Sequence, residues 1–271
     1  MIKKKALFVG LCTKDILYYT DNIPAKNHKS KTEDFATYIG GPAANAAITY
    51  AALGGDATLA TCLGDGMESR AMLEKLKEYD VKVLNYAVYE TIPNTACIVV
   101  SGNGDRTIIS GQHPFEVNCD YDLKDYDFAL FDCNQQEISL DILQRMTKQT
   151  VVLDAGNIKP NIERFLERAD IIIASEDFRD EAGSDIFGMQ CKADQRVMTR
   201  GGKSILYNGT EIPVNKVKAV DTLGAGDIFH GAFCYSYFEG GKRMEDALCF
   251  AAKIAGKSIK YRGPRKWIKS I

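Results

Sequence analysis

The sequence predicts an α/β fold built on a mostly parallel sheet, and three observations carry that expectation. Short apolar runs rich in β-branched residues recur along the chain. Stretches with helical period lie between several of them, and two segments break the rhythm with short alternating pieces. Strand alternating with helix implies right-handed crossovers and a sheet covered on both faces. The 271 residues contain no internal repeat, low-complexity tract or proline-rich linker, so one domain over residues 1–271 is expected.

The first strand is expected at residues 6–11, inside the apolar run from Ala6 to Cys12. Three lysines precede this run and imitate the start of a signal peptide. The run is too short for one, and Lys14 and Asp15 follow at once, so neither a cleavage site nor a membrane span is expected. Further strands are expected at 57–63, 128–131, 151–153, 171–174 and 196–199, with helices at 43–53, 69–79, 140–147 and 161–168. The irregular segments are 16–39 and 83–110. In the second, alternating pieces at 96–100 and 106–109 flank Ser101-Gly102-Asn103-Gly104-Asp105, a turn of hairpin type. Both segments read as antiparallel excursions, forming either a lid over the carboxyl ends of the strands or an extension of the sheet edge.

Composition excludes several functions. Apolar residues make up 45% and charged residues 26%, far from the composition of disordered chains. Lys and Arg number 34 against 36 Asp and Glu, a formal charge of −2 that offers no basic field to nucleic acid or an acidic membrane. Eight cysteines, Cys119 among them, include no CxxC pair, and several lie in apolar runs. They read as small core residues in a reducing compartment, so the cytoplasm is expected.

Val220-Asp221-Thr222-Leu223-Gly224-Ala225-Gly226-Asp227 opens an apolar helix reaching Phe238. Small residues at three successive positions let backbone N–H groups approach an anion, and the helix adds its positive end. Asp227 stands where it can act on a substrate hydroxyl; a glycine-rich helix cap with an acid in its first turn is the alternative. Gly202-Lys203-Ser204 and Gly256-Lys257-Ser258 are not phosphate-binding P-loops, because Val197 and Ala251 occupy the position of the required earlier glycine. Phe229 likewise breaks a dinucleotide fingerprint starting at Gly224. Gly40-Gly41-Pro42-Ala43-Ala44-Asn45 opens a small-residue helix, where Asn45 can bind two hydroxyls or the small residues can simply pack. Asp15 follows the first strand, as ligand-binding acids of open α/β sheets do, or forms a turn.

Together, the DTLGAGD motif, GGPAANAA, the early Asp15 and Leu63-Gly64-Asp65-Gly66 resemble the ribokinase family of carbohydrate kinases, also called the phosphofructokinase-B family. The resemblance covers nearly the whole chain in order, and Gly104-Asp105-Arg106-Thr107-Ile108-Ile109 is similar to the ketohexokinase branch. It implies a three-layer α/β/α fold with a small β-sheet lid. It also implies transfer of the ATP γ-phosphoryl group to a primary hydroxyl of a ketose-like or furanose sugar, with Mg2+ and a monovalent cation such as K+. By the same resemblance Asp227 is the general base, and Gly224, Ala225 and Gly226 form the anion hole. Asp15, Gly41, Asn45 and Arg106 bind sugar; Thr199, Arg200, Gly201 and Ala252 bind nucleotide; Asp221, with the backbone near Arg262 and Gly263, holds the cation.

The chain departs from the family pattern at Ser175-Glu176-Asp177-Phe178, which stands where many members have Asn-x-x-Glu near the metal. The glycine loop after Thr199 is compressed, and Pro42 replaces a polar residue that often contacts substrate. A nucleoside or vitamin kinase, using Tyr18, Tyr19, Phe35 and Tyr38 around a base, is the enzymatic alternative. A sugar-binding regulator without turnover is the non-enzymatic one. Lid strand edges lead to an expected homodimer.

Overall fold

The computed structural model describes residues 3–87, 89, 91–102, 106–111, 113–117 and 120–271. Cys119 and the expected turn residues Asn103, Gly104 and Asp105 lie outside them. Strands β1 (Lys5–Val9), β4 (Asp56–Thr61), β5 (Val81–Asn85), β8 (Phe128–Phe131), β9 (Thr150–Ala155), β10 (Ile171–Ser175) and β11 (Gln195–Thr199) pair in parallel, in the order β5-β4-β1-β8-β9-β10-β11. An antiparallel pair, β12 (Ile205–Tyr207) and β13 (Thr210–Ile212), extends the β11 edge, giving nine strands among the described residues.

Alternation along β1 shows why the sheet is covered on both faces. Ala6 and Phe8 enter one core, Leu7 and Val9 the other, and all four are inaccessible to solvent. On the first face lie α1 (Pro42–Ala52), α2 (Met67–Glu78), α5 (Ala225–Cys234) and α6 (Met244–Ser258); on the second lie α3 (Gln136–Arg145) and α4 (Ile162–Leu166). Proline in the first turn starts α1, and its alanines let α5 approach closely. At Gly231 of α5 a Cβ atom would stand 2.3 Å from the Ala46 carbonyl oxygen, so only glycine fits that crossing.

The two irregular segments build a second sheet in the order β3-β2-β6-β7, from β2 (Thr13–Thr20), β3 (Phe35–Gly40), β6 (Thr95–Ser101) and β7 (Arg106–Gly111). Each is an antiparallel hairpin, β2 with β3 and β6 with β7, but the hairpins join through a parallel pair, β2 with β6. Parallel pairing follows because these strands come from separate insertions rather than one meander. The second insertion also starts later than residue 83, since residues 81–85 pair with β4 in the main sheet. Leu17, Ala96, Ile98 and Val100 form the buried inner face of the lid, packed with Tyr19, Tyr38 and Leu223. The described cysteines are unbridged, and no helix among the described residues is long and apolar enough to cross a membrane.

Candidate active site

The strand order reverses direction beside β1, which has β4 on one side and β8 on the other. A crevice forms there at the carboxyl edge of an open parallel sheet. Asp132, one residue past β8, closes its floor and is 4% exposed. Its Oδ2 accepts the N–H groups of Leu11 (2.9 Å) and Ala43 (3.1 Å), and its Oδ1 that of Asn134 (2.8 Å). This one carboxylate therefore fixes the exit of β1 against the start of α1. Burial raises its pKa, while the three backbone bonds oppose the rise.

Asp15 descends from β2, where Thr13 Oγ1 donates to its Oδ1 at 2.6 Å. Burial pushes its pKa up to about 6, against the opposing effects of the Thr13 bond and the Arg265 charge. The glycine pair below it is required by space. A Cβ atom on Gly40 would fall 1.9 Å from Asp15 Oδ2, and one on Gly41, at φ 93°, 2.2 Å from the Leu11 carbonyl oxygen.

Asn45, on the first turn of α1, donates from Nδ2 to Asp227 Oδ2 at 2.6 Å. Its Oδ1 accepts from Arg265 Nη2, which also donates to the Ile39 carbonyl at 2.8 Å. The amide is thus held in one orientation by a charged donor on one side and a carboxylate on the other. Arg265 is 7% exposed, with Nε lacking a hydrogen-bond partner, and its charge acts on both Asp15 and Asp227.

Gly224, at φ 71°, begins α5, and no side chain caps that helix. The Ala225 N–H donates to the Thr222 carbonyl (3.2 Å), which leaves the N–H groups of Gly226 and Asp227 in the first turn available to an anion. Asp227 in the same turn is partly buried. Its pKa is pushed up to about 7, first by burial and then by the Asp154 charge, while the Asn45 bond and His230 pull it down. Asp154, at the end of β9, is 7% exposed and raised to about 8 by burial and by Asp132, with Lys159 opposing.

Arg106 reaches from β7 and donates from Nη1 to the Thr222 hydroxyl, so the lid touches the loop that leads into α5. Thr199 ends β11, where its hydroxyl donates to the Ala174 carbonyl at 3.3 Å. Arg200 donates to the Ser204 carbonyl (2.7 Å) and pairs with Glu211 (2.9 Å), closing the turn that contains Gly201 at φ 57°. Ala252 lies on α6, half-buried against the first core. Asp15, Gly41, Asn45 and the 224–227 turn are thus brought together, whereas Thr199, Arg200 and Gly201 lie along the same sheet edge beyond β9 and β10.

Two metal expectations can be tested on side chains. At the position of the family's metal-side glutamate stands Phe178, wholly buried and apolar, and the Ser175 hydroxyl accepts the Asp177 N–H. Among the described residues no group of three or more His, Cys, Asp or Glu is placed to hold a metal ion. These residues do not fit a protein-held magnesium. Asp221 accepts the N–H groups of Leu223 and Gly263, both at 2.9 Å, and the Tyr19 hydroxyl at 3.4 Å. These bonds tie Asp221 to the loop before α5 and to the C-terminal segment.

Arg265, Asp132, Asp154 and His230 escaped the sequence reading. The two aspartates carried a usable signal, an acid directly after an apolar strand run, the same signal that marks Asp15. Arg265 carried none, because its partners lie at the opposite end of the chain.

Comparison with known proteins agrees with this geometry. Residues 3–270 match the model of the pfkB family of carbohydrate kinases. The chain is 27% identical over 300 residues to a ribokinase of Dictyostelium discoideum, covering 94% of each chain. It is 24% identical to the ketohexokinase of Mus musculus over 300 residues, covering 97% of this chain and 98% of that one. The solved ribokinase of Arabidopsis thaliana, complexed with ribose and ATP, superposes at TM-score 0.75 and 20% identity, covering 99% of this chain and 98% of that one. With the glycine-rich turn, its acid and the two-sheet architecture in place, the chain belongs to the pfkB family of carbohydrate kinases.

Proposed function

We propose that the protein transfers the γ-phosphoryl group of ATP to a primary hydroxyl of a ketose-like or furanose sugar bound between Asp15, Gly41, Asn45 and Asp227. The observation that carries this reading is Asp227 itself. An acid raised to about 7, oriented by Asn45, stands in the uncapped first turn of α5, so a proton acceptor and an anion site share one turn.

In this reading the sugar hydroxyl donates to Asp227 and is aimed at the phosphorus, while the free N–H groups of the 224–227 turn meet the negative charge of the transferred group. Asp227 takes the hydroxyl proton late, as the O–P bond forms and the bond to the leaving diphosphate breaks. Positioning and charge stabilisation supply most of the rate. Thr199, Arg200, Gly201 and Ala252 would seat the nucleotide, and Arg106 would close the lid over the sugar. Magnesium bound to the nucleotide phosphates would neutralise part of their charge.

The nucleoside alternative loses two of its aromatic residues. Tyr18 and Phe35 stack with each other at 6.2 Å on the exposed outer face of the lid, leaving Tyr19 and Tyr38 on the inner side. A coupled ADP-release assay across ketoses, aldoses, Amadori-type sugars and nucleosides tests the proposal. Sugar-dependent release supports it, and release with nucleosides alone overturns it.

A further inference from the structure

The Asp227 turn rests on buried groups that the transfer reaction described above leaves without a role. His230, one turn further along α5, is 6% exposed. Its Nδ1 lies 2.8 Å from the Gly226 carbonyl oxygen and 3.4 Å from Asp154 Oδ2, and its Nε2 lies 3.3 Å from the Ile173 carbonyl oxygen. Three oxygens from three elements, α5, β9 and β10, therefore surround one ring. A neutral imidazole carries one N–H and satisfies one side of this arrangement; an imidazolium satisfies both.

The contact to Gly226 matters because of what it is attached to. The Gly226 carbonyl and the Asp227 N–H belong to one rigid peptide plane, so a donor that grips the carbonyl also sets the direction of that N–H. The same ring places a protonatable group one turn from the Asp227 carboxylate.

We propose that His230 is a positioning residue for phosphoryl transfer: braced against Asp154 and the Ile173 carbonyl, it holds the Gly226–Asp227 peptide plane in the anion hole and couples its own proton to the Asp227 base. The proposal rests on Asp227 being that base. Charged and titratable groups reach this cluster from every packed element. Asp154 from β9 and Asp132 from the end of β8 disfavour ionisation of Asp227, and His230 favours it. Arg265 from the C-terminal segment interacts with Asp227, Lys159 acts on Asp154, Cys133 sits beside Asp132, and α1 contributes the neutral Asn45. Burial lowers the pKa of His230 itself, while the Asp227 charge and the two carbonyls raise it.

Two substitutions should therefore move Asp227 in opposite directions. His230→Asn keeps a side-chain N–H near the Nδ1 position but carries no charge, so the Asp227 titration midpoint should rise. Asp154→Asn removes an acid whose titration overlaps that of Asp227 and whose ionisation opposes it, so the midpoint should fall. Carboxyl carbon NMR of Asp227 across pH, in the free protein, reads both. Imidazole nitrogen NMR follows His230, one of only three histidines. On the substrate found by the ADP-release panel, His230→Ala should lower kcat by about 10²-fold with little change in sugar KM, as a misplaced reacting group does. His230→Asn should recover part of that loss. Midpoints that stay put, or move together, overturn the coupling, and unchanged kcat in His230→Ala overturns the positioning role. If His230→Ala does not fold, His230→Asn carries both readouts. Absence of turnover in the wild type would strike at the kinase reading instead, and the NMR midpoints would still decide whether His230 is coupled to Asp227.

Discussion

Asp227→Asn exchanges one carboxylate oxygen for an amide group of nearly the same size and removes the capacity to accept a proton. The fold should tolerate it, since the new side chain can still accept from Asn45 Nδ2. Loss of a general base costs about 10²–10⁴ in rate, which sets the expected fall in kcat. Stability should move the other way. The unfolded chain releases this proton near the ordinary value of 3.8, whereas the native state holds it to about 7. Native stability therefore falls as pH rises through that window, because the native state binds the extra proton. At about 1.4 kcal/mol per unit the penalty above pH 7 reaches roughly 4 kcal/mol, an upper bound because the carboxylate keeps a partly exposed edge. Asp227→Asn removes the penalty, so its Tm should exceed that of the wild type at pH 8, with a smaller gain at pH 4.5. Wild-type kcat/KM, which reports the free enzyme, should fall about tenfold between its plateau and pH 6, one unit below the Asp227 midpoint. Single-turnover transfer and thermal melts on the same variant measure both effects. Near wild-type turnover, or a lower Tm at pH 8, would refute the assignment of Asp227 as a buried base.

Arg265→Gln should destabilise by about 1.5–3 kcal/mol for each charged hydrogen bond lost, to Asn45 and to the Ile39 carbonyl. It should also lower kcat through the freed Asn45 amide; a Tm and kcat equal to wild type would show that the Arg265–Asn45 bond orients nothing. Arg106→Ala should weaken sugar binding more than ATP binding, since Arg106 ties the lid to Thr222. Equal losses by calorimetry for the two ligands would leave Arg106 a structural role only. The lid's outer face carries Tyr18, Phe35 and Ile109, exposed by 37%, 62% and 70%, and the register places Cys97 opposite Ile109 and Val99 beside Tyr18 on that face. Ile108 falls on the inner side, opposite Ile98, so it does not join them. A second copy should cover this face. Light scattering should return a dimer at micromolar concentration, and a monomer throughout would count against lid pairing.

Local signals were readable from sequence alone, and signals that depend on distant pairing were not. The 224–227 turn is legible because glycine spacing, the acid and the following apolar helix lie within a few residues. Most strands of the main sheet are legible because burial on both faces makes them apolar runs, as in residues 6–9, whereas the edge strand β5, Val-Lys-Val-Leu-Asn, lacks such a run and went unread. The β12–β13 pair escaped notice because strands of three residues carry too short a pattern to register. The parallel β2–β6 pairing joins segments about eighty residues apart and leaves no trace in either. Arg265 reads as one basic residue in a basic tail until its contact with Asn45, 220 positions away, is seen. His230 reads as an ordinary helix residue until Asp154 and Ile173 are brought against it.

The most direct test of the central claim follows phosphorus rather than ADP alone. Phosphorus NMR of wild type and Asp227→Asn, each with ATP, magnesium and the sugar panel, reads which hydroxyl is esterified and by which protein. The wild type should convert ATP and at least one ketose-like or furanose sugar into ADP and an ester at a primary hydroxyl, in equal amounts, and Asp227→Asn should form that ester about 10²–10⁴-fold more slowly. Ester formation at equal rates by both proteins, or ADP without any sugar ester, would contradict it.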